Sequence, residues 1–475
     1  MVKRDEERAL ALISAHGRTS TAFQALARGL SHWFLPVDSG ANNRDLGLVA
    51  YAAHGGAWVA AGEPVASEVD AVHVAECFVQ AAHAERRRAS FFATEGNLAS
   101  SPRFRRTLIG EQPVWDPQGW AAKLKEHRSL REQLRRARAK GVVIRRVTGE
   151  TLSGDAALRD TLEAMIARWL AARTMSRMRF LVDVNPLEHL DQRQLFVAER
   201  HESVVGLLSL SPVPARDGWL FEHLLRDPAA PNGTSELLVD HAMRELAQRG
   251  DRWATLGLAP LSGPISGWLR AARSVSRPLF NFDGLAAFKR KLRPDRWAPI
   301  YLVYPRESNS AVAMLDGLRA FAGGSLFGFA MRTALRGPRP LLRALERLLI
   351  PWTIGLALLS TQPWFPSALV HMAWTLFDIG LLVSLGRLRR TGNVTLARVI
   401  AAAVSIDAVL TLVQAFVYTI PALRRVGSVT YPSLLGIAVA CAGPLVATPV
   451  LWGAARRLAR LQAAGAVART SRTTG

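Results

Sequence analysis

The residues best suited by type and spacing to do chemistry fall in FNFDGLAAFKRKLRPDRWAPIYLVYP, residues 280–305. Phe280, Phe282 and Phe288 bracket Asp283-Gly284, a pair that reads as a tight turn. Lys289, Lys291 and Arg293 follow within five residues. Only six of the chain's 60 basic residues are lysines, and two of the six stand here. In so arginine-rich a chain, this points to a site that needs a compact ammonium. On an extended segment the three cations share a face; on a helix, Lys289 and Arg293 align one turn apart. Either geometry brings two like charges to one side, where they repel unless an anion lies between them. Lys289 and Arg293 are therefore expected to clamp an anion, with Lys291 beside them.

A second candidate lies upstream. GWLFEHLLR (218–226) reads as a strand, and RDPAAPNGTSE (226–236) links it to a helix over 235–249. Asn232, Thr234 and Ser235 are placed to cap that helix, with Glu236 in its first turn. Free N–H groups around Asn232 and Gly233 would suit a phosphate or a polarised carbonyl. An ordinary capped helix is the plain alternative. His223 is the imidazole nearest this loop, and it is a candidate proton acceptor. Strand alternation sends Glu222 and His223 to opposite faces, so no metal pair is expected. Cys77 and Cys441 lie far apart, which implies neither a disulfide framework nor a cysteine metal site. The loop lacks the Arg-x-x-Gly-x-Gly/Ala pattern of coenzyme A users, and no cofactor is called for.

The third candidate is a surface. AAKLKEHRSLREQLRRARAKG reads as one basic helix over about 120–140. Arg128, Arg131, Arg135 and Arg138 recur at spacings of three and four and share a face. Ten basic residues lie between Lys123 and Arg146, against Glu126 and Glu132. With a formal charge of +22 for the chain, such a face suits a polyanion, either nucleic acid or anionic lipid.

The elements that must position these residues divide the chain in two. Strand-like and helix-like stretches alternate through residues 20–305, including LGLVAYAAHGGAWVAAGEP (46–64) as two strands around a His-Gly-Gly turn. The order β-β-β-turn-α-β after residue 142 is that of an N-acetyltransferase-like fold, and the earlier part reads as a shorter copy. The expected organisation is an N-acetyltransferase-like domain at 1–119, a basic connecting helix at 120–141 and a second such domain at 142–305. Interfacial linker helices follow at 306–345, then a transmembrane region at 346–455 and a cytoplasmic tail at 456–475. From residue 336 onward there are fifteen arginines, no lysine and three acids. Apolar stretches at 346–364, 367–386, 395–420 and 432–454 are long enough to cross a bilayer, which takes roughly 20 residues. Their flanking arginines are expected to place the N-terminal part and the C-terminus of a multi-pass protein in the cytoplasm. Residues 311–330 read as an interfacial or re-entrant helix. Asp378 and Asp407 fall mid-span, where a carboxyl costs several kcal/mol unless paired or facing a polar cavity.

LLRDPAAPNGTSELLVDHAM, LGLAPLSG and FNFDGLAAFKRKLRPDRWAPIYLVYP closely resemble the catalytic region of phosphatidylglycerol lysyltransferases, also called multiple peptide resistance factors. IGEQPVWDP (109–117) and RSLREQLRRARAKG (128–141) match in the same order, and the resemblance covers about residues 18–305. It implies tandem N-acetyltransferase-like folds. It also implies transfer of an aminoacyl group from aminoacyl-tRNA to a headgroup hydroxyl of phosphatidylglycerol. Carried over by position, the lysine of the family's Phe-Lys-x-Lys motif falls on Lys289, the basic residue four positions later on Arg293, and the arginine of its Asp-Leu-Met-Arg run on Arg226; Lys289 and Arg293 are, with His223, the expected catalytic residues. The aspartate of that run is His223 here, beside Glu222, and no acid stands at 273–280. These departures leave open which amino acid is transferred. The resemblance makes aminoacyl-tRNA, anionic phospholipid and the bacterial membrane the expected partners, with the arginine face on tRNA. A homo-oligomer is compatible with it. Two other readings stand beside it: an acyl-CoA-dependent N-acyltransferase and a non-catalytic scaffold on anionic lipid.

Overall fold

The computed structural model describes the whole chain except residues 1–2, 38–44, 174, 277–280, 337, 428 and 471–475. Phe280 therefore lies outside the described residues. The strands are β1 (Ser31–Pro36), β2 (Asp45–His54), β3 (Ala57–Ala61), β4 (Val65–Ala66), β5 (Arg88–Thr94), β6 (Phe104–Trp115), β7 (Val143–Val147), β8 (Gln194–Arg200), β9 (Ser203–Val213), β10 (Gly218–Arg226), β11 (Trp253–Thr255), β12 (Ala259–Pro260) and β13 (Arg296–Pro305). The helices that matter for the site are α1 (Ala71–Ala84), α2 (Trp120–Glu126), α3 (Arg128–Ala139), α4 (Thr234–Arg249), α5 (Phe282–Lys291) and α6 (Ser310–Ala322).

Two runs of the chain repeat one plan. In the first, β1, β2 and β3 form an antiparallel meander; α1 crosses over and returns β5 parallel to β3. Gly55 and Gly56, with φ of 60° and 78°, make the tight turn between β2 and β3. In the second, β8, β9 and β10 form the meander, and α4 returns β11 parallel to β10. Both crossovers are amphipathic for the same reason. Val74, Phe78 and Ala82 recur on the buried side of α1, and Leu238, Ala242 and Leu246 on that of α4. Each large aliphatic or aromatic side chain sealed this way contributes about 1.5–3 kcal/mol.

The two runs are interlocked through their last strands. β6 follows β5 in sequence but pairs with β11 of the second run. β13 ends the second run but pairs with β5 of the first. β6 and β13 also pair with each other along their length, from Phe104↔Pro305 to Val114↔Arg296. One sheet results, ordered β1-β2-β3-β5-β13-β6-β11-β10-β9-β8-β7. The fold is tandem N-acetyltransferase-like.

This sheet unit comprises Met1–Arg173 and Arg177–Phe329. It includes α6, which falls in the apolar stretch at 311–330. Ala313, Met314 and Ala320 of α6 belong to a core cluster with Phe92, Ile300 and Leu302, while Val312, Leu315 and Leu318 of the same helix are exposed. Asp316 on the same helix is buried and takes a bidentate pair from Arg88, at 2.9 and 2.7 Å. A carboxylate in an apolar stretch there marks a satisfied ion pair.

The second unit comprises Thr174–Ser176 and Ala330–Gly475. Among the described residues, three helical stretches are long and apolar enough to cross a membrane: Ala368–Thr391, Val394–Arg425 and Tyr431–Ala459. The fourth expected span, at 346–364, is not among them. Its helix, Pro338–Leu358, carries Arg343, Glu346 and Arg347 and has Pro351 inside it. Those three charges break the apolar run, and Glu346 pairs with Arg389 at 3.2 Å within the unit. The unit's core is built from Leu342, Leu385, Leu388, Ile400, Val404 and Leu451.

Candidate functional site

Strand β10 runs in register with β9 from Gly218↔Val213 to Phe221↔Leu210, and then His223 pairs with Ser209. Glu222 is the extra residue of a β-bulge, and a bulge re-aims the side chains around it. The consequence is chemical. Glu222 and His223, which strict alternation would send to opposite faces, line one small pocket with Gln24, Asp183, His189 and Arg193. His223 Nε2 lies 3.7 Å from Glu222 Oε1.

Glu222 is held by donors from both runs of the chain. Gln24 Nε2, from the helical turn Phe23–Leu26, donates to its Oε1 at 3.0 Å. Arg193 donates to its Oε2 at 2.5 Å, and the Ser211 hydroxyl donates to the same oxygen. Arg193 also donates to Ser211 Oγ at 2.6 Å and lies over the Phe23 ring. Burial alone would raise the Glu222 carboxyl. The charges of His223 and Arg193 and the hydrogen bonds from Ser211 and Gln24 outweigh it and hold the group below the usual carboxylate range. Burial pushes the His223 imidazole down, against the pull of Glu222. The site at neutral pH thus pairs an ionised carboxylate with a neutral imidazole, a combination suited to accepting a proton and stabilising the imidazolium that forms.

Beside this pocket the sheet splits. β10 and β11 pair only over Gly218–Leu220 and Trp253–Thr255, and the chain then swings to pair Ala259 and Pro260 with Glu111 and Gly110 of β6. Leu256, Gly257 and Leu258 lie between those pairings, where, among the described residues, no strand pairs with them. Lys289 supplies the partner: its Nζ donates to the three oxygens at 2.9, 2.8 and 2.9 Å. An ammonium has three N–H groups, and all three are used here.

The other cations of this segment go elsewhere. Asp283 and Gly284, expected as a turn, lie in the first turn of α5, because the Asn281 side chain accepts from Gly284 N at 2.8 Å and caps a helix. α5 directs Lys289 inward and Lys291 to Glu236, at 2.6 Å, in the first turn of α4. Arg293 lies exposed beyond the helix end, at a φ of 53°. The three cations thus have three separate environments and form no common clamp.

The sequence profile of the family described as "Phosphatidylglycerol lysyltransferase, C-terminal" matches residues 10–304. The chain belongs to this family. A curated relative from Corynebacterium glutamicum, without an assigned function, is 24% identical over 323 residues, covering 64% of this chain and 39% of the relative. The chain therefore spans about two fifths of that relative's length. Among solved structures, the C-terminal domain of a protein described as a lysylphosphatidylglycerol synthetase from Agrobacterium fabrum superposes with a TM-score of 0.58. It is 24% identical and covers 68% of this chain and 98% of that one. L-PGS from Bacillus licheniformis superposes with a TM-score of 0.56 at 18% identity, covering 66% of this chain and 95% of that one. Both share the fold of the sheet unit.

The remaining candidate positions lie on α3, on α4 and in the loop before α4. Arg226 Nη1 donates to Asn232 Oδ1 at 3.2 Å, closing the loop between β10 and α4. Gly233, at a φ of 96°, is the cap of α4, and no side chain caps this end. A Cβ there would lie 2.4 Å from the Gln133 carbonyl of α3, so only glycine fits the close approach. Thr234 donates to the Pro231 carbonyl at 2.7 Å instead of capping.

The basic helix is broken at His127 into α2 and α3. Its arginines are largely engaged within the protein. Arg131 donates to the Leu124 carbonyl at 2.7 Å and so closes the end of α2. Arg135 pairs with Glu132, and Arg138 with the buried Asp240, both at 2.9 Å. Asp240 also accepts from Trp120 at 2.9 Å and Arg244 at 3.0 Å. Arg128 lies exposed at the start of α3.

Gln24, Arg193 and Ser211 were not visible as site residues in the sequence. Gln24 stands 198 positions from Glu222, and Arg193 and Ser211 precede it by 29 and 11, with no periodicity linking them.

Proposed function

We propose that this chain moves an aminoacyl group from aminoacyl-tRNA to a headgroup hydroxyl of a phospholipid, with phosphatidylglycerol as acceptor. The observation that carries the reading is the Glu222–His223 pair, opened into one pocket by the β10 bulge, in a member of the phosphatidylglycerol lysyltransferase family. His223 takes the proton of the lipid hydroxyl as its oxygen attacks the ester carbonyl. The carbonyl carbon becomes tetrahedral, the bond to the 3′ ribose oxygen breaks, and His223 returns the proton to that oxygen. Glu222 stabilises the imidazolium in between. The donor ester is already activated, so holding the two reactants in register supplies much of the rate. Arg226 and Arg293, which reach the surface, are the candidates for the lipid or tRNA phosphate. Lys289 positions the split between β10 and β11.

Incubation of the full chain with labelled aminoacyl-tRNA and phosphatidylglycerol vesicles is expected to move label into the lipid. Labelled acyl-CoA is expected to move none. Transfer from acyl-CoA, or no lipid product from any aminoacyl-tRNA, would sink the proposal.

His223→Gln should lower turnover by about 10²–10⁴ with little effect on tRNA affinity. The pH profile gives an independent check. The base works when neutral, and burial lowers its pKa below the ordinary 6.5, so activity should persist as the pH falls past 6.5. The acid limb should then appear at the lower value. An acid limb at or above 6.5 would assign the titration to another group.

The arginine face of α3 is proposed to meet tRNA, and the pairs within it predict unequal contributions. Arg128→Glu should weaken tRNA binding and reduce the salt slope by about one unit for each phosphate it no longer neutralises. Arg138→Glu should instead destabilise the packing of α3 on Asp240. Equal loss of tRNA affinity for the two, with unchanged stability, would contradict this division. The apolar helices are proposed to anchor the chain in the bacterial inner membrane, with the sheet unit and the C-terminus inside.

A further inference from the structure

Helix α6 reverses the distribution expected of a helix in water. Its exposed positions are Ala311, Val312, Leu315 and Leu318, all apolar. Val312, Leu315 and Leu318 are 40%, 37% and 48% exposed. The one acid of the helix, Asp316, is instead buried and ion-paired with Arg88. Phe327, five residues beyond α6 in the same unit, is 78% exposed. Aliphatic side chains gathered at helical spacing on an outer face mark a surface that another apolar phase covers.

Charge and chain continuity favour a bilayer as that phase. Arg88 and Arg319, which share Asp316, keep 45% and 34% of their side chains exposed at the edge of this face. Arg179 is exposed at the far end of α6, where its side chain lies beside Gly323. From residue 306 to 327 the acids are Glu307 and the buried Asp316. An apolar face edged by arginines fits the boundary between acyl chains and anionic headgroups, because guanidinium groups reach the phosphates while their stems stay among apolar groups. The chain also runs on from α6 toward Ala368–Thr391, a helix long and apolar enough to cross a membrane.

The same helix is tied to the Glu222 pocket. Phe180 packs in one cluster with Ala313, Met314 and Ala320, and its ring meets that of Phe321 edge-on at 5.2 Å. The Arg179 backbone N–H donates to the Phe321 carbonyl at 3.0 Å. Next along the chain, the Leu181 carbonyl accepts from Gln24 at 3.0 Å, and Gln24 also donates to Glu222. Asp183 lines the pocket itself. Residues 179–183 thus join the underside of α6 to the pocket within the sheet unit.

We propose that α6 docks the sheet unit on an anionic bilayer surface through Val312, Leu315 and Leu318, and that residues 179–183 thereby hold the Glu222 pocket where headgroups are presented. The second half of this proposal rests on the function proposed above; the docking itself does not.

Two measurements on the full chain test it. In the first, the protein is placed in phosphatidylglycerol-containing vesicles, and Leu315→Cys, in a Cys77→Ser and Cys441→Ser background, carries a bimane fluorophore. Lipids with a nitroxide on the upper acyl chain should quench its emission about twofold or more, with little effect of aqueous iodide. The same label on Val143→Cys, at a position 65% exposed on β7, should show the opposite pattern. Iodide quenching of the Leu315→Cys label, or quenching by neither agent as contact with a second protein would give, overturns the docking. Lipid quenching at both positions overturns its assignment to α6. In the second, Leu315→Glu combined with Leu318→Glu should lower transfer to vesicle phosphatidylglycerol by about tenfold, since two carboxylates on this face oppose insertion. Transfer to a monomeric short-chain phosphatidylglycerol in detergent should be unchanged. Equal loss with both acceptors, or no loss with either, overturns the link between docking and the pocket. Absence of transfer by the wild type to either acceptor sinks the proposed function, while the quenching still decides the docking.

Discussion

Lys289→Met is expected to destabilise the sheet unit by about 3–6 kcal/mol and to abolish lipid product. The ammonium is 4% exposed and donates to the carbonyls of Leu256, Gly257 and Leu258. Methionine fills the stem's space but leaves three carbonyls without donors, and each orphaned buried group costs about 1–3 kcal/mol. That is a large part of the 5–15 kcal/mol typical of a folded domain. Lys289→Arg should rescue poorly, because a planar fork cannot meet three carbonyls gathered around one point. Burial pushes the Lys289 pKa down from 10.5 to about 7. The unfolded chain therefore binds more protons than the folded one between those values, and the wild type should gain stability as the pH rises from about 7 toward 10.5. Lys289→Met should lose that rise. Denaturation midpoints at pH 6.5 and 9 test both statements, and an unchanged midpoint with normal lipid product would remove Lys289 from the framework of the site.

The second large effect concerns the buried pair. Glu222→Gln leaves the Arg193 guanidinium sealed without its counter-charge, and Arg193→Gln leaves the Glu222 carboxylate in the same position. Each should cost about 3–5 kcal/mol. The double replacement removes both charges, so it should cost less than the sum, with a coupling of roughly 2 kcal/mol. Glu222→Gln should also lower turnover by about 10²-fold or more, since the imidazolium on His223 would lose its stabilising charge. Chemical denaturation of the three variants with initial rates on labelled aminoacyl-tRNA measures both. Additive stabilities would show that the two side chains do not act as a pair.

The fold was largely legible because periodicity is a local property. Val74, Phe78 and Ala82 recur at helical spacing, β10 spans Gly218–Arg226 as its residues suggest, and the motifs around 226–236 and 280–305 carry the family. The arginine-flanked apolar stretches likewise announced a membrane unit, although three charges near Arg343 disqualify one stretch. These conclusions need only the order of residues along one element.

The chemistry of the site was decided elsewhere. Strand alternation separates Glu222 from His223; a bulge set by pairing with Ser209 and Leu210 reunites them. Charge counting groups Lys289 with Arg293; the splitting of β10 from β11 creates three orphan carbonyls that draw Lys289 inward, while Lys291 turns to Glu236. Spacing on a helix shows four arginines on one face; Glu132 and Asp240, the latter from another helix, claim two of them, and Arg131 is spent on closing α2. Sequence alone determined which elements form, because each buries its own apolar stripe. Tertiary structure determined which polar groups meet, because an unpaired carbonyl or a buried charge is satisfied by whatever partner the fold brings within about 3 Å, regardless of distance along the chain.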